Sequence, residues 1–292
     1  MKNSLFIIIF TFFCFFGAFS LENELNYQNI EKTPEVEFDI NFCNIEIQNI
    51  PNKIKKGNQF KTPFAVKITD SRTNEPKVGV KITVSYPIKK INDNVEFECT
   101  EIISDSNGIG SFFPKDTSFS CKSIITFSLE NEKEVSMPYL VTTNRFSWGG
   151  IISILDYTKN GKPIRDNSLS GSAILTAMMK NGFSRIGLID FVDEIDAGNK
   201  DMIYKSAFDL IGTNTSFFIY GTVKYNGSID FVDPQYHLPL QCEITCVNMK
   251  DGVILYETTV NVTGCGNSEW EALNNARTLL GSEIVSKIIF GI

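Results

Sequence analysis

The sequence contains one histidine, His237, and this residue limits the acid–base chemistry that the chain could perform. A Ser-His-Asp or Cys-His arrangement needs an imidazole to move a proton to or from the nucleophile. His237 stands in QYHLPL at the start of a predicted strand, and no nucleophile is marked beside it. We therefore expect a surface or capping histidine and no catalytic residue.

Carboxylates are the other groups that could do chemistry, and several of them fall in the stretch IDFVDEIDAGNKD. They are Asp190, Asp193, Glu194, Asp196 and Asp201. A calcium loop needs oxygen ligands at alternating positions around a glycine, and these residues do not follow that register. Two carboxylates could form a glycosidase pair, but nothing in the sequence marks two of them. We expect a solvated loop with no metal and no cofactor.

Six cysteines follow the first twenty residues: Cys43, Cys99, Cys121, Cys242, Cys246 and Cys265. An even number in an exported chain permits disulfides. Cys99 and Cys121 flank a predicted hairpin, so we predict a bridge between them. Cys242, Cys246 and Cys265 are candidates for further bridges, and buried free thiols are the alternative. Zinc is not expected, because Cys242-x-x-x-Cys246 lacks the usual finger spacing.

The first twenty residues, MKNSLFIIIFTFFCFFGAFS, have the pattern of a secretory signal peptide. Lys2 provides the positive start, residues 5–16 are apolar, and Ala18 and Ser20 are small residues before a cleavage point. An uncleaved anchor and lipidation at Cys14 remain alternatives. No later segment is long and apolar enough to span a membrane. We expect an exported protein in the periplasm or at the outer membrane, with the cell surface left open.

The net charge of −7 bears on the class of partner. An acidic surface disfavours nucleic acids and anionic lipids. Residues 21–43 read as an acidic, polar lead-in. Peripheral membrane association and the oligomeric state stay open.

Residues 44–146 carry the period-two pattern of half-buried strands. FAVKITD and VKITVSYP alternate apolar and polar residues, and SIITFSLE supplies a later strand. Asp105-Ser106-Asn107-Gly108 predicts a turn, because Asn and Gly tolerate positive φ. Several short strands with regular turns predict a β-sandwich.

The same residues resemble a known family. TPFAVKITDSRTNEPKVGVKITVSYP followed by ISDSNGIGSFFP is similar to the bacterial immunoglobulin-like domains of invasin- and intimin-type surface proteins. The resemblance implies an immunoglobulin-like sandwich that acts as a spacer or an adhesive module.

The pattern changes after NRFSWGG, so we predict a second domain at residues 147–292. IISILDY is an apolar strand of the kind that is covered on both faces. Two helices, further strands and a hairpin at Asp251-Gly252 give the order β-α-β-α-β-β-β-α. This order predicts an α/β domain with a mixed sheet covered by helices.

The last predicted helix has a capping box, Ser268-Glu269-Trp270-Glu271. We predict that its apolar stripe packs on the sheet formed by the preceding hairpin. The stripe is Trp270, Leu273, Ala276, Leu280, Ile284 and Ile288.

The second half, about residues 149–289, resembles the envelope family that contains the curli secretion component and the penicillin-binding-protein activator lipoproteins. The matching features are IISILDY, the Gly182-Phe183 step after a helix, SFFIYGTVKY and the helix ALNNARTLLGSEIVSKII. The resemblance implies a non-catalytic protein that binds or helps to assemble another envelope protein. Adhesion through the β-sandwich and hydrolysis of cell-wall glycans are the alternatives from other classes.

Overall fold

The computed structural model describes residues 40–91, 93–130 and 132–292, and Ile40–Ile292 forms one compact unit. The predicted signal peptide, Cys14 and most of the acidic lead-in lie outside these residues. No helix in the described ranges is long and apolar enough to cross a membrane. The described chain consists mainly of β-sheets, with α-helices only in its C-terminal half.

The N-terminal half is β-rich and contains two open sheets. Its strands are β1 (Cys43–Asn49), β2 (Ile54–Lys55), β3 (Phe64–Asp70), β4 (Lys81–Ile91), β5 (Asn94–Ile103), β6 (Ile109–Phe112), β7 (Cys121–Leu129) and β8 (Lys133–Thr142). One sheet has the order β1-β3-β6, and the other has the order β2-β8-β7-β4-β5. Inward side chains from both sheets, such as Phe64, Ile82 and Phe127, form one buried cluster. The apolar alternation read from the sequence therefore lines this core.

Two polar residues fix the turns next to β3. Asp70 ends this strand, and its carboxylate binds Arg72 and Lys77, whose Nζ lies at 2.9 Å. These hydrogen bonds hold the pKa of Asp70 far below its usual range. In the predicted turn, Asp105 accepts hydrogen bonds from the amides of Asn107 and Ile109, and Gly108 has φ +72°. The turn is confirmed, while the immunoglobulin-like assignment of this half stays a prediction.

The C-terminal half is a mixed sheet with helices on both faces. Its strands are β9 (Gly150–Tyr157), β10 (Pro163–Ile164), β11 (Ile186–Leu188), β12 (Phe217–Tyr225), β13 (Asp230–Val232), β14 (Gln235–Asn248) and β15 (Ile254–Gly266). Its helices are α1 (Leu169–Lys180), α2 (Val192–Ala197), α3 (Lys200–Ile211) and α4 (Glu269–Gly291). Strand β9 pairs in parallel with β11 and β12, and β14 pairs antiparallel with β12, β13 and β15.

Strand β9 is covered on both sides, as its apolar sequence predicts. Ile152 and Ile154 contribute to the cluster beneath α1 and α4, while Ile151 and Leu155 belong to the cluster beneath α2 and α3. Successive side chains of a strand point to opposite faces, which explains why a strand between two helical layers has no polar face.

Helix α4 begins as predicted, but its buried face differs. Ser268 Oγ accepts from the amide of Glu271, and the Glu271 carboxylate accepts from the amide of Asn267. Ala276, Leu280, Ile284 and Ile288 are buried, whereas Leu273 is half-buried and Trp270 is 75% exposed. Trp270 was wrongly placed on the packed face. At 100° per residue it lies about 120° around the helix from Ala276, outside the stripe that contacts the sheet.

The end of α4 is held by residues of the β-rich half. The last carbonyls of a helix have no partner within it. Here the Ile289 carbonyl accepts from the Thr143 amide, the Phe290 carbonyl from Lys90 Nζ, and the Ile292 oxygen from Ser120 Oγ. The α4 end thus connects the two halves, although the predicted domain boundary near residue 147 stays a prediction.

Candidate functional site

The only histidine lies beside a cysteine that the sequence assigned to a different role. His237 on β14 and Cys265 on β15 are register partners, and Cys265 Sγ lies 3.3 Å from His237 Nδ1. Both side chains are half-buried and share the sheet face opposite α4. A thiol and an imidazole at this distance can share a proton, which is the first requirement of a Cys-His nucleophile.

Neither an orienting residue nor a metal-ligand cluster accompanies the pair in the described residues. In the part of the chain that the structure describes, no residue hydrogen-bonds to the second ring nitrogen of His237 to orient the imidazole. No group of three or more His, Cys, Asp or Glu side chains that could hold a metal occurs in the described ranges either. The structure shows this pair as a side-chain contact between neighbouring strands of a hairpin.

The predicted bridge between Cys99 and Cys121 is not formed. Cys99 lies exposed on β5, Cys121 is buried on β7, and β4 runs between these two strands. Two strand spacings alone separate them by about 9–10 Å, and a disulfide requires Cα atoms within about 7 Å. The prediction assumed that the two cysteines flank one hairpin, whereas the hairpins are β4–β5 and β7–β8.

The other bridge candidates are free thiols as well. Cys242 and Cys246 point to the α4 side of β14, about 13 Å apart by strand geometry, and Cys265 faces the opposite side. Burial raises the pKa of Cys246 to about 12 and the pKa of Cys242 well above its usual range. Protonated, buried thiols are poor nucleophiles, so these two cysteines act as small apolar core residues.

The acidic stretch is partly helical, in contrast to the predicted loop. Residues 192–197 form α2, and Arg165 makes ion pairs with Asp193 and with Asp196, whose Oδ2 lies 2.8 Å from Nη2. Tyr157 donates a hydrogen bond of 2.9 Å to Asp196. Burial, aided by this bond, raises the pKa of Tyr157 to about 12. Arg165 and Tyr157 thus engage two of the five carboxylates of this stretch, Asp193 and Asp196.

A second ion pair crosses the face covered by α3. Lys200 at the start of α3 binds Glu257 on β15, and Thr245 Oγ1 donates to the same carboxylate at 2.9 Å. A cavity of about 490 Å³ opens beside this group. The hydrogen bond from Lys200 lowers the pKa of Glu257, and the same bond raises the pKa of Lys200. The Lys200–Glu257 ion pair has no net charge, and it lies among other polar side chains at this cavity.

Two exposed aromatic side chains, Phe231 and Trp270, lie near one end of the C-terminal sheet, and together with the half-buried Tyr236 we call them the aromatic patch. Phe231 is 63% exposed and Trp270 is 75% exposed. The rings of Phe231 and Tyr236 lie 5.0 Å apart, and Tyr236 pairs in register with Gly266, over which the first turn of α4 passes.

The sequence pattern does not reveal this patch. The apolar stripe of the last helix places Trp270 in the core, and IDFVD at residues 229–233 carries no recognised function. Helix phase could have revealed Trp270, because its position falls off the stripe that runs through Ala276 and Leu280.

Comparisons with known proteins concern the C-terminal half. Residues 149–289 match the family model of the TP0693-like lipoprotein, C-terminal domain. An uncharacterized lipoprotein of Treponema pallidum (strain Nichols) is 23% identical over 138 residues. The match covers 47% of this chain and 31% of the relative, so the chain spans about a third of that relative's length.

Solved structures give weaker matches. A PelC dodecamer from Paraburkholderia phytofirmans is 14% identical, with a TM-score of 0.35, over 50% of this chain and 91% of that one. The LpoB C-terminal domain from Salmonella enterica is 12% identical, with a TM-score of 0.24, over 40% and 84% of the two chains. TM-scores this low carry over no property of those proteins.

Proposed function

We propose that this protein is a non-catalytic, exported envelope protein that binds another envelope protein through its α/β half. Export is supported by the signal-like first twenty residues and by the similarity of residues 149–289 to a lipoprotein domain. The aromatic patch is the observation that carries the binding role.

The patch has the chemistry of a protein contact. Tryptophan and tyrosine are enriched among the residues that contribute most to protein–protein binding, because they bury large areas with few rotatable bonds. Trp270 and Phe231 expose such areas to solvent. An apolar area that stays exposed does not stabilise the folded monomer.

The patch is also built on rigid elements. Trp270 lies in the first turn of the capped helix α4, and Phe231 packs against Tyr236 across the β13–β14 pair. A preordered surface loses little conformational entropy on binding, which favours affinity from a small contact.

The β-rich half serves as a spacer or a second contact in this proposal. We propose residues 44–146 as an immunoglobulin-like domain and residues 147–292 as the partner-binding domain. The contacts at the end of α4 support a fixed orientation between them, since three backbone oxygens at Ile289, Phe290 and Ile292 accept from that half.

Site-specific photo-crosslinking in cells tests the proposal with the full chain. A photoreactive residue replaces Trp270 in one variant and Leu210 in a matched control, since Leu210 on α3 is 69% exposed. We expect one envelope protein to be captured from position 270 and not from position 210. Adding Phe231→Ala should reduce the capture at position 270. Equal products at both positions, or none at position 270, would contradict the proposal.

A further inference from the structure

A cavity of about 550 Å³ lies where the first residues of the α/β half meet the turn of the β14–β15 hairpin. Its wall includes Arg145, Trp148, Thr215, Ser216, Asn248 and Lys250. Arg145 opens the short 3₁₀ turn Arg145–Ser147, and Thr215 and Ser216 lead into β12. The cavity lies at the opposite end of the hairpin from the aromatic patch, so it is a separate site.

Two cations face this cavity without a carboxylate partner. In the described part of the chain, neither Arg145 nor Lys250 lies within ion-pair distance of an acidic group. The Arg145 guanidinium lies 4.6 Å from the Trp148 ring centroid, which holds the guanidinium plane in place. Some other cations, such as Lys200 and Arg165, do bind carboxylates.

Burial disfavours the charged form of Arg145. It lowers the pKa of Arg145, and the negative charge of Asp251 opposes this effect. Burial and the charge of Arg145 together lower the pKa of the half-buried Lys56. An anion beside Arg145 would favour its charged form.

The wall also holds unpartnered polar atoms. Four buried side-chain nitrogen or oxygen atoms in the described residues have no hydrogen-bond partner, and two of them, Arg145 Nε and Thr215 Oγ1, belong to this wall. Buried polar groups in folded proteins nearly always have a partner. One wall thus holds the unpaired guanidinium of Arg145 with its orphaned Nε, the orphaned hydroxyl of Thr215 and the unpaired Lys250, which indicates a ligand that accepts hydrogen bonds and carries negative charge.

We propose that this cavity binds a phosphate group. A carboxylate would be satisfied by the guanidinium fork alone, whereas a tetrahedral dianion matches two cations and accepts from several directions. The hydroxyls of Thr215 and Ser216 and the side-chain amide of Asn248, whose oxygen already accepts from the Lys250 amide, supply further donors. The group is carried by a soluble phosphate monoester or by an anionic phospholipid, and the experiment separates these sources.

Calorimetric titration of the full chain with inorganic phosphate, with acetate at equal ionic strength as the reference, tests the site. We expect saturable binding of phosphate and none of acetate. Arg145→Gln should weaken phosphate binding at least about tenfold, the usual loss for a charged hydrogen bond. Lys205→Gln is the matched control, since Lys205 is exposed on α3 away from the cavity, and it should bind as the wild type.

Because Arg145 is half-buried, a second variant is needed to separate a loss of phosphate binding from a loss of folding. Thr215→Val removes one orphaned donor and no charge, and it should weaken phosphate binding while leaving the melting temperature unchanged or raised. Glycerol 3-phosphate and phosphatidic-acid vesicles then identify the source. Binding of the monoester indicates a soluble ligand, and Arg145-dependent binding of vesicles alone indicates a lipid. Equal effects of acetate and phosphate, equal losses in Arg145→Gln and Lys205→Gln, or no Arg145-dependent binding of any probe would overturn the proposal.

Discussion

The two faces of the C-terminal sheet are covered in different ways. On one face, α4 runs for 23 residues and packs with α1 over strands β9, β14 and β15. Ala272 and Ala276 lie directly over Gly264 and Gly266, and Gly281 receives α1 at Ala173. On the other face, α2 has 6 residues and α3 has 12, and they leave polar side chains of β14 and β15 in contact with solvent.

The α4 face is closely packed, whereas the α3 face is partly open to solvent. Small residues let the α4 backbone approach the sheet closely, so that face has no room for additional atoms. The α3 face is joined to the sheet partly through the Lys200–Glu257 ion pair and bears exposed apolar residues such as Leu210. Mutations should therefore have large effects on stability on the α4 face and small ones on the α3 face.

Gly264→Val should have the largest effect. A Cβ at Gly264 would overlap the backbone of Ala272 and Ala276, which can move only if α4 leaves the sheet. We expect a loss of more than about 4 kcal/mol in the free energy of unfolding, or no soluble protein at all. Denaturant unfolding followed by circular dichroism measures this.

The matched control is Gly187→Val on β11 of the same sheet. No atom lies within 4 Å of a Cβ at this position, and its φ lies outside the left-handed region. Its free energy of unfolding should change by less than about 1 kcal/mol, since valine suits a strand. Comparable losses at Gly187 and Gly264 would refute the argument from close packing.

Ile284→Ala should have the next largest effect. Ile284 is fully buried between α4 and the sheet, so truncation leaves a cavity and lowers the free energy of unfolding by about 2–5 kcal/mol. Met202→Ala on α3, where the side chain is 55% exposed, should change it by about 0.5 kcal/mol or less. Similar values for the two variants would show that both faces are equally packed.

Much of this architecture follows from local sequence signals. The capping box at Ser268, the turn at Asp105–Gly108 and the two-sided burial of β9 all depend on residues close in sequence, and the structure contains each of them. The Cys99–Cys121 prediction failed because pairing between distant strands depends on the sheet order, which local patterns do not encode.

The register of the β14–β15 hairpin shows a second limit. Pairing counted from the turn, where Val247 faces Ile254, would put His237 opposite Gly264. A bulge next to Val247 shifts the register by one residue, so His237 faces Cys265 and Gly264 lies under α4. A one-residue shift exchanges the two faces of a strand. The turn sequence alone predicts neither the contact between His237 and Cys265 nor the position of Gly264 beneath α4.

Thiol reactivity measures how well each face of the β14–β15 pair is covered, with Cys99 on β5 as an exposed reference. Cys242 and Cys246 are buried beneath α4, whereas Cys265 on the other face is half-buried and Cys99 is exposed. Alkylation of the native protein should therefore modify Cys99 first and Cys265 next, and reach Cys242 and Cys246 only after unfolding. Peptide mass spectrometry over time gives the order. Early modification of Cys246 would show that α4 opens readily.

Glu257→Gln on the α3 face should have the smallest effect, and its sign depends on pH. The hydrogen bond from Lys200 lowers the pKa of Glu257 in the folded state, so its stabilisation is present above the carboxyl's unfolded pKa and is lost as pH falls through the folded one. Both partners are about half exposed, which limits the contribution to less than about 1 kcal/mol. The melting temperatures of variant and wild type should therefore differ slightly at pH 7 and converge in acid. A variant that melts at a higher temperature than the wild type at pH 7 would mean that the carboxylate is destabilising in the folded protein, and that the polar face owes its order to the packing of α3 alone.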